Sequence, residues 1–312
     1  MIRRLLGRAL DWRFGAVIGR LDAIAARAEE QTDHAARLDN RIEGLEARLS
    51  ELTATLSHVS TALEERVQPV LHTIAAEEST NRRRLHGLRA DARYEQAFSE
   101  PDPLVSITIA TVGREELIGK ALPSLLAQTH TNLEILVVGD AAADSLGETV
   151  ADMGDRRVRY WNLSQRIVAH PDPRRHWLVG STMARNEAAQ HARGLWLLHF
   201  DDDDRLRPDA IASLLRVARE RRSEVAYGGF EEHHPDGKRT TGIGFPPRLG
   251  TFSWAGALVH GGLRFFEREL VAADLEIPGD MYMLERMLRV GVRFAMLDEV
   301  VLDYFPSTLW EP

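Results

Sequence analysis

Apolar residues between Leu21 and Leu63 recur in alternating steps of three and four. They fall at positions 21, 24, 28, 35, 38, 42, 45, 49, 52, 56, 59 and 63, with Gln at the seam position 31 and Glu, Arg, Asp, Thr and Ser between them. Sustained for about six heptads, this is the seam of a left-handed coiled coil. At the usual helical rise the rod would be on the order of 65 Å long. Ala28, Gln31 and Ala35 make its N-terminal half the weaker one, and Gln31 can set register or strand number at a cost in stability. One amphipathic helix cannot bury such a seam, so a partner is implied. A homo-oligomer through residues 21–63 is expected, a homodimer being simplest, with a trimer, a tetramer or fold-back onto residues 70–98 also open. The step from Leu63 to Val67 leaves the heptad, and Pro69 is expected to break the helix. A second helical segment, residues 70–98, carries Arg82, Arg83, Arg84, Arg89 and Arg93 but fewer apolar positions. Pro101 and Pro103 then read as a linker. The expected division is 1–68 for the N-terminal helix and coiled coil, 69–103 for the second helical segment and linker, and 104–312 for a globular domain.

Beyond residue 104 the period changes. Residues 105–110 alternate and are β-branched, 133–138 form a nearly continuous apolar run, and 158–161, 196–200, 225–228 and 294–297 read as further strands. Helical spacing fills 115–128, 182–193, 208–221 and 280–289. Strand and helix in alternation predict an α/β domain with a mainly parallel sheet covered on both faces. Residues 230–262 give no readable pattern beyond a turn at 233–237 and a loop at 242–247.

Composition narrows the class. A net charge of −8 argues against nucleic-acid binding, which relies on clustered basic residues. The absence of cysteine removes disulfides, thiolate metal sites and cysteine nucleophiles, and suits the cytoplasm. No run approaches the length of a membrane-spanning helix. Residues 1–14, basic and amphipathic, lack the features of a secretory signal. They either start the helix that follows or lie on an anionic membrane surface, a peripheral contact at the inner face.

The candidate chemistry begins where the strand at 196–200 runs into Asp201, Asp202, Asp203 and Asp204, three residues before Arg207 and Pro208 open a helix. Ligands of open α/β sheets bind beside the C-terminal ends of strands. Adjacent carboxylates at such an edge either bind a hard divalent cation or form a solvated acidic turn.

The run Ser106-Ile-Thr-Ile-Ala-Thr-Val-Gly-Arg114, the helix end at 125–129, the strand 133–140, Ala184-Arg-Asn186, Ala192-Arg-Gly194, the acidic run with Pro208, and Asp280 with Leu284, Arg286 and Gly291 follow in order. Together they resemble an inverting family 2 glycosyltransferase of the GT-A fold, over about two-thirds of the chain. The resemblance implies a GT-A domain, Rossmann-like with helices on both faces, preceded by a coiled coil. It also implies a hexosyltransferase-like enzyme that moves a sugar from a nucleotide-sugar donor to a hydroxyl acceptor on a glycan, a lipid-linked sugar or a protein. A UDP-sugar is the first expectation for the donor, GDP- or dTDP-sugars the next, and Mn²⁺ or Mg²⁺ is the expected cofactor.

By the same resemblance Asp201 and Asp203 form the Asp-X-Asp metal pair. Asp203 is the direct ligand, and Asp201 faces the ribose or a metal-bound water. Thr111, Arg114, Asp140, Arg185, Asp201 and Asp202 make up the nucleotide-sugar site. Asp202 and Asp204 also support the turn. Arg185 reaches the base or phosphates, or else forms a surface ion pair. Asp280 is the catalytic base, and as Asp it also suits a cap for a helix starting at Met281. Arg286 and Arg289 read as structural, and the histidines show no ligand spacing. Two positions depart from the family pattern: Gly139 and Gly279 each replace the first acidic residue of a pair. They are the support for a rival reading, a catalytically weak GT-A domain that serves as a scaffold through its coiled coil. A nucleotidyltransferase fits poorly, because residues 111–114 make a poor phosphate loop.

Overall fold

The computed structural model describes residues 2–143, 145–166 and 171–306; the side chains of residues 1–14 and of a few other helical positions lie outside the described set. The amphipathic reading of 1–14 therefore falls on side chains outside the described residues. The chain forms two compact units, Met1–Ala75 and Ala76–Pro312.

The first unit is built on α1, Ile2–Ala62, one uninterrupted helix of 61 residues. Its seam residues are exposed, Leu49 and Leu56 at 66% and 68%. The break expected at Pro69 does not occur. A single π-turn over Leu63–Val67 leads directly into α2, Gln68–Ala90. Proline has no N–H, and its ring collides with the carbonyl four residues back, here Glu65. A π-turn over that stretch opens the ladder where the collision would fall, and it puts Pro69 in the first turn of α2, where the missing donor is tolerated.

The second unit begins within α2. The linker expected near residue 100 therefore lies inside this unit, which draws the second helical segment into its core. Leu85 of α2 and Tyr94, Ala97 and Phe98 of α3 (Ala92–Ser99) are buried. The polar reason is Glu224, fully buried, which accepts from Arg89 at 2.8 and 3.0 Å, from the Tyr94 hydroxyl at 2.7 Å and from Arg293. One carboxylate so fastens α2 and α3 to the globular domain, and these arginine and tyrosine donors hold its pKa down to about 2 against burial.

The domain alternates β1 (Val105–Thr111), α4 (Glu115–Leu126), β2 (Leu133–Gly139), α5 (Ser145–Asp152), β3 (Val158–Asn162), α6 (Pro173–Leu178), α7 (Thr182–His191), β4 (Trp196–Phe200), β5 (Arg205–Leu206) and α8 (Ala210–Arg221). Then come β6 (Val225–His233), β7 (Arg239–Gly242), β8 (Ala257–His260), α9 (Val271–Asp274), α10 (Gly279–Val290) and β9 (Phe294–Tyr304). Among the described residues the strands join one sheet in the order β3-β2-β1-β4-β8-β6-β9-β5, with β7 on β6. The first four strands are mutually parallel, as the alternation of strand and helix implies. The sheet is mixed beyond them. β8, absent from the sequence pattern, enters antiparallel between β4 and β6, and β9 runs to Tyr304, well past 297.

Register aligns the strand ends. Thr111 stands opposite Gly139, Gly139 opposite Asn162, and Ile109 opposite Phe200. The first residues past β2 and β4 are Asp140 and Asp201, so both emerge on one edge of the sheet.

Candidate active site

The acidic turn is four different environments in sequence. Asp204 is fully buried, and its Oδ1 accepts from the Phe305 N–H at 3.0 Å while Oδ2 is buried without a partner. Burial, reinforced by the charges of Asp201 and Asp203, raises its pKa well above the carboxylate range. Asp202 is also buried and is gripped by Arg114, whose Nε donates at 3.1 Å and whose Nη2 reaches the other oxygen. Arg114 Nη1 donates to Asp203 Oδ2 at 3.1 Å. Arg114 was expected at the base, but here it is drawn in by the turn it follows in space.

Asp203 is pushed up to about 6, by burial first and then by the charge of Asp201. Asp201 lies on the other side of the balance: burial raises it, but the guanidiniums of Arg185 and Arg268 outweigh burial and hold it below the usual range. Asp201 and Asp203 offer hard oxygen donors, and like-charge crowding at Asp203 is what a divalent cation would relieve, so these residues fit a Mg²⁺ or Mn²⁺ site. A separate group, Glu231, His233 and Asp303, has ligand atoms within 4.8 Å of one another. Its carboxylates are already compensated by Arg207 and Arg239.

At the neighbouring strand ends, the Thr111 hydroxyl accepts from the N–H of Gly113 at 3.2 Å and of Arg114 at 3.4 Å, which shapes the turn after β1. The Asp140 N–H donates to the Thr111 carbonyl at 2.8 Å, and its carboxylate accepts from Arg166 at 3.2 Å. Gly139 is a packing requirement. A Cβ there would meet Asn162 Oδ1 at 2.5 Å and the Tyr160 hydroxyl at 2.8 Å. Asn162 is itself fixed by both amide ends to the backbone of Ala142. At Gly279 a Cβ would stand 3.3 Å from the Leu178 carbonyl. The departure at Gly139 thus has a local steric reason, while the space at Gly279 is tight but does not by itself exclude a side chain.

The other half of the site forms around two arginines. Arg185, on α7, donates through Nη2 to Asp201, and its Nε is buried without a partner. Arg268 lies in the segment between β8 and α9, and Asn186 clasps its backbone N–H and carbonyl at 3.0 and 2.9 Å. Its guanidinium has no ion-pair partner among the described residues; burial first, and then the charge of Arg185, brings its pKa down to about 10. Asp280 acts electrostatically on both guanidiniums, as Asp201 does, so the two carboxylates share one cationic pair. Asp280 sits inside the first turn of α10, which starts at Gly279 and not at Met281. Its Oδ1 accepts from the Met281 N–H at 2.7 Å, and its carbonyl accepts from Trp254 Nε1 at 2.9 Å.

His199, on β4, completes the floor. Its Nδ1 lies 3.0 Å from the Thr108 hydroxyl, and burial, with the charges of Arg268 and Arg185, drops its pKa to about 3, so it is neutral. Arg185, Asn186, His199 and Arg268 line a cavity of about 10 Å³, the room of a single water.

Sequence reasoning put Thr111, Arg114, Asp140 and the acidic turn at the strand ends and named Arg185 and Asp280 as further candidates. It missed Arg268, His199, Arg166 and Asn162. None of these has a telling spacing, and each acquires its place only through the packing of distant segments.

A sequence profile described as "Glycosyl transferase family 2" matches residues 106–272, just over half of the chain. The succinoglycan biosynthesis protein ExoO of Rhizobium meliloti (strain 1021) is 31% identical over 136 residues, 44% of this chain and 36% of that protein. The glycosyltransferase GlyA of Streptococcus pneumoniae serotype 4 is 24% identical over 129 residues, 41% of this chain and 17% of that protein. The matched stretches thus span well under half of these relatives. Among solved structures, S. aureus TarS 1-349 in complex with UDP superposes with a TM-score of 0.51 at 17% identity, over 65% of this chain and 60% of that one, a likeness of fold. No helix among the described residues is long and apolar enough to cross a membrane. The chain belongs to glycosyl transferase family 2, and its globular unit has the GT-A fold.

Proposed function

We propose that this chain is an inverting, metal-dependent glycosyltransferase that moves a sugar from a nucleotide donor to a hydroxyl acceptor. The observation that carries the reading is the convergence of Asp201 and Asp280 on the Arg185–Arg268 pair at the C-terminal edge of the sheet.

In this reading Thr111, Arg114, Asp140 and Asp202 bound the nucleotide pocket, with Arg166 held over it by Asp140. Asp201 and Asp203 hold Mn²⁺ or Mg²⁺, which when bound supplies Lewis-acid stabilisation of the departing diphosphate. Arg185 and Arg268 add fixed positive charge for the same leaving group, aimed where negative charge develops. A free hydroxyl is a poor nucleophile, so a base in line with the anomeric carbon is needed. Asp280 takes that proton as the acceptor oxygen bonds to the anomeric carbon and the bond to the diphosphate breaks, a single displacement that inverts configuration. His199 is neutral and serves as a dry polar floor.

UDP-sugars are the first donors to test, because the TarS structure of like fold was solved with UDP; GDP- and dTDP-sugars follow. The acceptor lies within the glycan, lipid-linked or protein classes. Self-association through residues 21–63, a cytoplasmic location and peripheral membrane contact through residues 1–14 complete the proposal. A thermal-stabilisation scan of nucleotide-sugars with and without Mn²⁺ tests it. Stabilisation by one nucleotide class only with metal is expected, and no stabilisation by any of them would remove the donor-binding role.

A further inference from the structure

We infer that the α1 seam takes a second copy of this chain in parallel and in register. This rests on the self-association proposed above and adds strand direction and alignment.

The spacing assigns every position. A step of three from Leu21 to Ile24 followed by four to Ala28 makes residues 21, 28, 35, 42, 49 and 56 the a positions and residues 24, 31, 38, 45, 52 and 59 the d positions. The flanking g positions then read Arg27, His34, Arg41 and Arg48, and the e positions include Asp39 and Glu46. One flank of the seam is basic and the other carries the acids. None of these six residues forms an ion pair within its own chain among the described residues, all are exposed, and α1 runs through them without a break.

In a parallel pair each g residue faces the e residue five positions further along the other chain. His34 then meets Asp39 and Arg41 meets Glu46, each pairing occurring twice by symmetry, while Arg27 and Arg48 meet Thr32 and Thr53. In an antiparallel pair g faces g and e faces e, which puts the arginine row against its own copy and Asp39 and Glu46 against theirs. Charges at e and g set orientation, and like charges across the seam disfavour the arrangement that brings them together. Ile42 at a with Leu38 and Leu45 at d is a two-stranded pattern, whereas Leu21 at a with Ile24 at d is not, so the strand number is read from the chain mass and the charges set only the direction. In the parallel form both chains leave the coil at the same end.

The full chain contains no cysteine, so one introduced thiol reports direction without background. Sedimentation equilibrium should give twice the 35.0 kDa chain mass. Val59→Cys, at a d position near one end of the seam, should form an intermolecular disulfide on mild oxidation, because identical d residues face each other only in a parallel, in-register pair. A one-chain mass removes the self-association itself, and three or more chains removes the two-stranded form. A dimer that fails to cross-link at position 59 keeps self-association and overturns the direction. As a second arm, Arg41→Glu should weaken the dimer by about tenfold and adding Glu46→Arg should restore it. No weakening by Arg41→Glu, or no recovery when Glu46→Arg is added, is the antiparallel result and contradicts the inference.

Discussion

Asn186 holds the backbone of Arg268 with both ends of its amide, donating to the carbonyl at 2.9 Å and accepting from the N–H at 3.0 Å. The clasp imitates a strand partner for a residue that belongs to no strand. On the same loop Arg286 reaches the Glu267 carbonyl at 2.7 Å and the Glu269 carboxylate at 2.5 Å. Arg268 is therefore pinned from two helices, beside the like-charged Arg185. Two guanidiniums held together in this way carry an electrostatic cost, which the charges of Asp201 and Asp280 offset in part.

Replacing Asn186 by Ala should release the Arg268 segment and lower kcat/KM for the donor by about 100-fold, the usual consequence of misplacing a charged group by about 1 Å. Thermal melting should fall only modestly, by the loss of two hydrogen bonds worth about 1 kcal/mol each. An Asn186→Ala enzyme that melts earlier yet keeps full kcat/KM would show that the clasp only stabilises the fold.

Glu224 makes a separate prediction for stability. Its carboxyl is depressed to about 2, so its contribution is fully present above pH ~4.5, the unfolded value, and is lost as pH falls towards 2. Glu224→Gln should flatten that part of the stability-versus-pH curve. At neutral pH it should cost about 3 kcal/mol, the lower end for breaking a buried pair, because Arg89 and Arg293 keep partial access to water. Denaturant titrations of both proteins between pH 2 and 7 check the sign. A Glu224→Gln curve that still falls steeply below pH 4.5 would place the effect elsewhere.

Gly139 tests whether the family's missing carboxylate is a loss of function or a matter of space. Gly139→Asp should destabilise the domain by about 1–3 kcal/mol, since a Cβ there overpacks against Asn162 and Tyr160. Adding Asn162→Gly should recover part of that loss. Equal destabilisation in both backgrounds would mean that Asn162 is not the obstacle.

Much of this architecture is legible in the chain because its signals are local. β2 and β4 are buried on both faces and read as apolar runs, β1 reads as an alternating β-branched strand although it is buried throughout, and the heptad seam states its own period. β8 was not legible: four residues between irregular segments become a strand only because β4 and β6 leave a gap that they fill. The passage through Pro69 was misread because a π-turn has no sequence signature. In the proposed site, the carboxylates are readable through spacing and family resemblance. Arg268 and His199 are not, since the meaning of each depends on the other and on Arg185 across the fold. Arg114, read from the sequence as a nucleotide-site residue, bonds to Asp202 and Asp203 of the acidic turn.

In the proposed mechanism Asp280 deprotonates the acceptor while Asp201 and Asp203 hold the metal. The most direct measurement is single-turnover sugar transfer from the donor that stabilises the protein, comparing the intact enzyme with Asp280→Asn at saturating Mn²⁺, and the intact enzyme with and without chelator. Asp280→Asn should bind the donor normally and transfer at least about 100-fold more slowly, with chelation abolishing transfer reversibly. Transfer by Asp280→Asn at the intact rate, or full activity in chelator, would contradict it.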